Sequence, residues 1–373
     1  CVGGVHRARQ TLGWFADSDF PADLAGKTPS PDSSPNGRGS TPTRYAPAMG
    51  EFDLIKRYFT RPTARAVLGV GDDCAVLQPA EGMQLAVSSD MLVEGRHFFP
   101  DVDPYTLGHK ALAVNLSDLA ACGAQPLAFT LALALPRVDE AWLSAFSRGL
   151  LALADTHGCE LVGGDTTQGP LNICITVFGE VPRGQALLRS GAKVGDDIYV
   201  SGTLGDARLA LDALQGHIAL PAEVLATARL RLEQPTPRVA LGTALRGIGT
   251  SAIDVSDGLA GDLAHILKAS GVGATVNTDS TMNLIASCAR FDWARGQFDA
   301  QKQLETVFSG GDDYELAFTA PPGARSAVHA ASASSQTPVT RIGVIEARPG
   351  LRLVDGNGQL VEAQFASFDH FAG

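Results

Sequence analysis

The sequence is poor in lysine and contains no run of basic residues. Lys and Arg number 29 against 40 for Asp and Glu, which gives a formal net charge of −11, and only six of the basic residues are lysine. Proteins that hold nucleic acid or anionic lipid through phosphate contacts normally carry a basic patch. We therefore expect no nucleic-acid partner.

Long hydrophobic runs and paired cysteines are missing as well. The longest purely apolar stretch, residues 131–136, is far shorter than the ~20 residues that span a bilayer, so we expect no membrane partner. None of the six cysteines belongs to a Cys-x-x-Cys pair, which leaves structural zinc and thioredoxin-type chemistry without support. Scattered cysteines in apolar surroundings are typical of a reducing compartment, and we expect a cytoplasmic protein.

Length and composition indicate two folded domains preceded by an extension. Hydrophobic residues make up 45% and charged residues 18% of the 373 residues, whereas a single domain usually has ~100–200 residues. Residues 27–45 are rich in Pro, Ser, Gly and Thr without hydrophobic periodicity, which is typical of disorder. Because periodic sequence begins just after Met49, we expect residues 1–48 to be a disordered N-terminal extension outside the fold, from an upstream reading frame or from expression. A Pro/Gly break at 181–184 divides the remainder into 49–182 and 183–373.

Short apolar strands alternate with helical stretches in both halves. Asp103 followed by Pro104 is typical of a helix start, and Gly158 of a helix end. The patterns predict strands at 84–88, 127–135, 160–162, 172–178, 198–201, 251–255, 314–319 and 340–345, and helices at 104–123, 139–158, 207–214, 222–232, 238–246 and from 259 onward. The connections are too varied for a simple doubly wound sheet, so we predict the α+β class.

Aspartates recur beside Gly or Ser where apolar strands are predicted to end, in five turns: 71–73, 88–90, 163–165, 254–258 and 310–313. Each turn alone is more readily structural, since Asp and Gly are common turn formers. However, all five carry carboxylates and none carries lysine, and Asn115 and Asp118 add a polar pair to an apolar helix. Crowded carboxylates need cations, and an all-oxygen ligand set suits Mg²⁺. Since P-loop and protein-kinase motifs are both absent, the residues alone predict a Mg²⁺-dependent site for a phosphorylated ligand.

Nine segments in order from Gly50 to the C-terminus resemble the thiamine-monophosphate kinase family, within the superfamily of aminoimidazole ribonucleotide synthetase. The segments are GEFDLIKRYF (50–59), GVGDDCAVL (69–77), SSDMLVEGRHF (88–98), HKALAVNLSDLAACGAQP (109–126), LVGGDTTQGPL (161–171), LLRSGAKVGDDIYVSGTLGDA (187–207), AIDVSDGLAGDLAHI (252–266), SGGDDYELAFT (309–319) and FDHFAG (368–373). The resemblance implies an α+β, two-domain, aminoimidazole ribonucleotide synthetase-like architecture. In it, 49–182 would be a mixed-sheet domain for ATP, Mg²⁺ and dimerisation, and 183–373 an α/β sandwich that completes the nucleotide and substrate site.

The resemblance also implies an activity and roles for individual residues. The activity is ATP-dependent phosphorylation of thiamine monophosphate to thiamine diphosphate, with several Mg²⁺ ions, in a homodimer formed through the N-terminal domains. The implied roles are metal binding for Asp73, Ser88, Ser89, Asp90, Asp118, Asp165, Asp254 and Asp257, ATP binding for Gly164, Asp165, Arg189 and Ser256, and substrate binding for His97, Asp312 and Phe368. Two positions differ from the family's usual residues, since Asp312 stands where Glu is common and Phe368 where Tyr is common.

The implied chemistry needs no catalytic general base. The acceptor is a phosphate monoester with a second pKa of ~6, so it is mostly a dianion at neutral pH. In-line alignment and charge screening are what the reaction requires. Two alternatives remain: another ATP-using synthetase of the superfamily, or a non-catalytic module that binds Mg²⁺ and nucleotide. Selenophosphate synthetase is disfavoured because the matching part of the chain opens without a reactive Cys or a Gly-rich loop bearing Lys.

Overall fold

The computed structural model describes residues 50–290, 298–362 and 365. The predicted N-terminal extension and Phe368 lie outside these residues, so both remain predictions. Among the residues described, no helix is both long and apolar enough to cross a membrane.

The first half of the described chain forms a four-stranded mixed sheet with three helices. The strands lie in the order β1-β4-β2-β3, with β2 and β3 parallel and the other pairs antiparallel. The elements are α1 (Glu51–Tyr58), β1 (Met83–Val93), α2 (Pro104–Ala121), β2 (Gln125–Leu135), α3 (Glu140–His157), β3 (Glu160–Gln168) and β4 (Asn172–Pro182).

The second half forms a six-stranded mixed sheet in the order β10-β7-β9-β5-β8-β6, in which only the β10–β7 pair is parallel. Its strands are β5 (Asp197–Ser201), β6 (Ser251–Val255), β7 (Gly273–Asn277), β8 (Glu315–Ala320), β9 (Val339–Glu346) and β10 (Gly350–Val354). Its helices are α4 (Asp206–Leu214), α5 (Ala222–Glu233), α6 (Val239–Ala244), α7 (Leu259–Ser270), α8 (Thr278–Met282), α9 (Ala286–Arg290), α10 (Ala300–Phe308) and α11 (Arg325–Ser334). The predicted α+β class, with a mixed sheet in each half, is confirmed.

Helix α2 is the central element of the molecule. It begins as predicted, because the Asp103 carboxylate accepts hydrogen bonds from the backbone N–H groups of Tyr105 and Thr106, at 2.8 and 3.2 Å. It packs closely on α3, where a Cβ added at Gly149 would lie only 1.9 Å from the Tyr105 carbonyl oxygen. Its other sides contact β1 and β4 of the first sheet and β6 and β8 of the second. Polar side chains on α2 can therefore reach both sheets.

Helices α2 and α3 cover one face of the first sheet, whereas the other face is covered only in part, where Ala66, Ala75 and Leu77 pack on β2 and β3. Its inner face packs on α2 and α3, with residues such as Ile173 and Val177 fully buried. On the opposite face, Leu85, Val87 and Met91 of β1 are 45%, 57% and 52% exposed. We call this surface the open face, and the alternation of a strand places Ser89 on it as well. The second sheet, in contrast, carries buried apolar side chains on both faces.

Two of the predicted turns are instead parts of strands. The sequence pattern ends a strand before Ser89 and Asp90, but β1 continues to Val93 because it pairs with β4 along its whole length. The turn at 163–165 likewise lies inside β3, which pairs with β2 as far as Gln168. Backbone hydrogen bonds to a neighbouring strand maintain both strands through residues that are common in turns.

Candidate active site

Two hydroxyl groups connect α2 with the two sheets. Ser88 of β1 donates a hydrogen bond to Asp118, with 2.5 Å between Oγ and Oδ2. Ser117, the residue before Asp118, donates to Asp254 of β6, with 2.8 Å between Oγ and Oδ2. Carboxylates from the first and second halves of the chain thus meet at one end of α2. Asp90 lies beside them, since its backbone N–H donates a hydrogen bond to Oδ1 of Asn115 on α2, at 3.1 Å.

Burial and mutual repulsion raise the pKa values of these carboxyl groups. Burial, followed by the charges of Asp118 and Asp257, raises the pKa of Asp90 to about 6. Burial, followed by the charge of Asp118, raises the pKa of Asp254 to about 8. Burial also raises the pKa of Asp118, although the hydrogen bond from Ser88 opposes it. The negative charge here is incompletely balanced, and a cation among these groups would lower the pKa of each.

The donor atoms of this cluster fit a hard cation, because they are carboxylate and hydroxyl oxygens. Within residues 50–290, 298–362 and 365, no group of three or more His, Cys, Asp or Glu side chains could hold a metal ion as placed. Mg²⁺ usually binds proteins through one or two carboxylates and completes its shell with water and phosphate oxygens. The cluster therefore fits Mg²⁺ that binds together with a phosphorylated ligand, rather than an ion enclosed by protein alone.

Asp118 and Asp254 line two clefts at once. The first cleft has a volume of about 400 Å³ and contains Arg189 beside an apolar wall. The second cleft, of about 950 Å³, contains Asp90, Ser256 and Asp257, among other residues. A ligand in either cleft would therefore reach the same pair of carboxylates.

A side pocket of about 350 Å³ adjoins the second cleft. His97 and Asp312 belong to the linings of both, so they stand where one opens into the other. The Nδ1 atom of His97 accepts a hydrogen bond from the backbone N–H of Val93 at 3.0 Å, so the proton of the neutral ring lies on Nε2. The apolar part of the pocket wall consists of Phe98, Phe99, Val102, Leu107, Leu211, Leu214 and Leu232.

Other residues with implied roles lie apart from the carboxylate cluster. The Ser89 hydroxyl is on the open face and hydrogen-bonds Thr176, with 2.9 Å between the two oxygens. Asp73 and Asp165 are exposed, and no hydrogen bond or ion pair in the described part of the chain ties their side chains to the cluster. Gly164 has a φ of +144°, and a Cβ there would lie 1.8 Å from the Leu131 carbonyl oxygen, so only glycine fits. The roles of these residues remain predictions.

Two residues that support the site were not predicted from the sequence. Asp262 accepts hydrogen bonds from the backbone N–H groups of Ser256 and Asp257, at 3.0 and 3.1 Å, and so fixes the loop after β6. Lys110 is buried on α2 and pairs with Asp312. A lysine within the apolar repeat of a predicted helix is a signal that could have identified it. No comparable signal marks Asp262, because an acidic residue in the first turn of a helix is common.

Two family models match the chain in sequence. The N-terminal domain of AIR synthase related protein matches residues 71–181, and the C-terminal domain of AIR synthase related protein matches residues 193–356. Among curated relatives, thiamine-monophosphate kinase of Salmonella typhimurium is 47% identical over 330 residues, covering 87% of this chain and 99% of the relative. The Escherichia coli K12 enzyme of that name is 46% identical over 333 residues, with the same coverage.

Solved structures give a consistent result. Thiamine-monophosphate kinase from Stenotrophomonas maltophilia K279a superposes with a TM-score of 0.72 at 45% identity, covering 80% of this chain and 92% of the other. AaThiL complexed with AMPPCP and TMP superposes with a TM-score of 0.67 at 27% identity, covering 89% and 100%. The hydrogenase maturation protein HypE of E. coli, at 22% identity and a TM-score of 0.69, shares the fold.

Proposed function

The chain belongs to the thiamine-monophosphate kinase family, and we propose that it transfers the γ-phosphoryl group of ATP to thiamine monophosphate, giving thiamine diphosphate and ADP. The observation that carries this proposal is the position of Asp118 and Asp254, which line both clefts. A donor and an acceptor that approach from the two clefts would meet at the same carboxylates. Both reactants are polyanions, so their meeting point must supply positive charge.

Mg²⁺ is part of this proposal. Several ions would be held by the carboxylates of the cluster and by the phosphates of the substrates. When bound, Mg²⁺ supplies charge stabilisation for the transferring phosphoryl group. Within the cluster the proposed ligands are Ser88, Asp90, Asp118, Asp254 and Asp257. The ligand roles of Asp73, Ser89 and Asp165, which lie apart from the cluster, are proposed from the family relationship alone.

The protein's own residues bind and align the reactants. We propose that Arg189, which lines the first cleft, binds the ATP phosphates, and that Gly164, Asp165 and Ser256 also contact ATP. The acceptor phosphate is already a dianion near neutral pH, since its second pKa is ~6. One of its oxygens forms the new bond to the γ-phosphorus as the bond to the β-phosphate oxygen breaks, so no side chain has to remove a proton.

The side pocket suits the organic part of thiamine monophosphate. Thiamine has a cationic thiazolium ring and an aminopyrimidine ring. The pocket combines aromatic and aliphatic walls with charged groups of both signs, which are Asp101, Glu233, Asp312, Arg96, Lys110 and Arg229. His97 and Asp312 lie between this pocket and the carboxylate cluster, which is where the phosphate end of such a ligand would emerge. We propose that both contact the acceptor, and that Phe368 does so too.

An ADP-release assay with rival acceptors tests the proposed function. We expect Mg²⁺- and ATP-dependent ADP release with thiamine monophosphate and little with free thiamine or hydroxymethylpyrimidine phosphate. ATP binding without ADP release in the presence of any of them would indicate a non-catalytic nucleotide-binding module. ADP release only with a ribonucleotide substrate would indicate another synthetase of the superfamily.

We also propose that the protein forms a homodimer through the open face. Leu85, Val87 and Met91 form a row of exposed apolar side chains on this face, and exposed apolar surfaces of this kind are common at protein interfaces.

We propose a cytoplasmic location as well, on the basis of the free thiols, such as those of Cys74 and Cys174.

The dimer is testable with a single substitution. Val87→Asp would place a charge on each side of a two-fold interface, and we expect the dissociation constant of the dimer to rise by about 100-fold or more. Light scattering after size exclusion should then show a monomer where the parent chain gives a dimer. Val138→Asp is the matched control, since Val138 is 49% exposed in the loop between β2 and α3, outside the open face. A parent chain that is monomeric at micromolar concentration would refute the proposal.

A further inference from the structure

Lys110 is a buried cation in an apolar part of α2. Its side chain is 5% exposed, and its neighbours Leu107 and Ala111 belong to the main hydrophobic core. Burying an ammonium group is unfavourable unless a well-placed partner compensates for the loss of water. That partner is Asp312, whose Oδ1 lies 2.9 Å from the Lys110 Nζ atom. A Leu or Met in this place would serve the core at least as well, so packing alone does not account for the lysine.

Asp312 is held by more than this one ion pair. The Tyr314 hydroxyl donates a hydrogen bond to the same oxygen, Oδ1, at 3.1 Å. Burial, followed by the charge of Asp312, raises the pKa of Tyr314 well above its usual range, so this tyrosine keeps its proton. No hydrogen bond to Oδ2 of Asp312 is present in the ranges that the structure covers. One oxygen of the carboxylate is therefore anchored twice, and the other remains available to a ligand.

The backbone at Asp312 is also strained. Asp312 and Tyr314 have φ values of +66° and +51°, in the left-handed region that non-glycine residues rarely adopt. The backbone N–H groups of both donate hydrogen bonds to the end of β6 and the residue after it, Tyr314 to the Val255 carbonyl at 2.8 Å and Asp312 to the Ser256 carbonyl at 2.9 Å. Strain of this kind persists where the surroundings enforce it, and it is frequent at functional sites. Here it holds the partly exposed Asp312 carboxylate where the second cleft meets the side pocket.

We propose that Lys110 is a positioning residue for phosphoryl transfer: it holds Asp312 so that the available carboxylate oxygen binds the cationic part of the acceptor beside the carboxylate cluster. This inference rests on the proposed function. Lys110 itself lines the side pocket, and the inference predicts that it acts through Asp312 rather than through a contact of its own with the acceptor or ATP. It also predicts that the pair matters for the acceptor more than for the donor.

A double-mutant cycle tests this role. The four proteins are the parent chain, Lys110→Met, Asp312→Asn and the double variant, each assayed for ADP release with thiamine monophosphate or ATP varied. We expect each single variant to raise the KM for thiamine monophosphate by about tenfold or more, with the KM for ATP changed by less than about twofold. The double variant should be no worse than Asp312→Asn, because Lys110 has no function once its partner is gone. Lys110→Arg, which keeps the cation, should recover part of the loss.

Each contrary result has a distinct meaning. If the fold-changes in KM of the two single variants multiply in the double variant, Lys110 acts independently of Asp312. An unchanged KM for thiamine monophosphate in Lys110→Met would show that Lys110 has no positioning role. Either result overturns the inference. Should Lys110→Met fail to fold, the comparison of Asp312→Asn with the double variant, in which no buried charge is left unpaired, decides the same question. Absence of turnover in the parent chain would instead refute the proposed function itself.

Discussion

The Asp118→Asn variant is expected to lose about 10³-fold or more in kcat. In the absence of Mg²⁺ it should nevertheless be at least as stable as the parent chain. The loss of activity is expected because Asp118 lines both clefts and would hold a metal ion there, and the stabilisation that a metal ion gives to the transferring phosphoryl group is worth several kcal/mol. The gain in stability has a separate cause. Burial raises the pKa of Asp118, so its ionised form is unfavourable in the folded protein when no cation is bound. An amide of the same shape removes that cost.

A loss of kcat without a loss of stability distinguishes a metal ligand from a residue with a structural role. Activity would be measured by ADP release at saturating Mg²⁺ and stability by urea unfolding in EDTA. Asp155→Asn is the control, because Asp155 is an exposed carboxylate whose ion pair with Arg61 lies on the surface and contributes little to either property. Near-parental kcat in Asp118→Asn, or a loss of activity that simply follows a loss of stability, would contradict the assignment of Asp118 as a metal ligand.

Local signals predicted the central part of the site well. Helix α2 begins at a capping aspartate and follows apolar spacing, so the start of the helix and the polar position of Asp118 could both be predicted from neighbouring residues. The same is true of Asp254, which lies in a short apolar strand followed by a turn. In these elements the sequence within one turn or strand determines the structure, and no distant contact overrides it.

Features that depend on distant residues could not be predicted. The Lys110–Asp312 pair joins α2 to the loop before β8, and no periodicity relates positions so far apart in the chain. Strands β7 and β10 are five residues long and are supported by pairing with each other. Their own sequences carry little signal, because strand stability depends mostly on neighbouring strands and on burial. The same dependence explains why β1 extends past Asp90 instead of ending there.

Magnesium is expected to stabilise the protein much more at pH 8 than at pH 6. Burial raises the pKa of Asp254 to about 8 and that of Asp90 to about 6 in the folded chain, from an ordinary value of 3.8. At these two carboxyl groups the folded chain therefore binds more protons than the unfolded chain between about pH 4 and pH 8, so their contribution to the free energy of unfolding falls as pH rises through that window. From pH 6 to pH 8, Asp254 alone should lower it by about 2 kcal/mol. Mg²⁺ binds the ionised carboxylates, so it should reverse this loss at pH 8 and have less effect at pH 6, where protons compete.

Urea unfolding of the full chain at the two pH values, with Mg²⁺ or with EDTA, measures this effect. Asp254→Asn is the matched variant, because it keeps the shape of the side chain and the hydrogen bond from Ser117 while removing the titrating group. Its stability in EDTA should change less between pH 6 and pH 8 than that of the parent chain, and its response to Mg²⁺ should be smaller at both. Equal stabilisation of the parent chain by Mg²⁺ at pH 6 and pH 8 would mean that the buried carboxylates do not exchange protons for the metal. Mg²⁺ would then have to bind elsewhere, and the position of Asp118 and Asp254 on both clefts would no longer support a metal-assisted transfer between them.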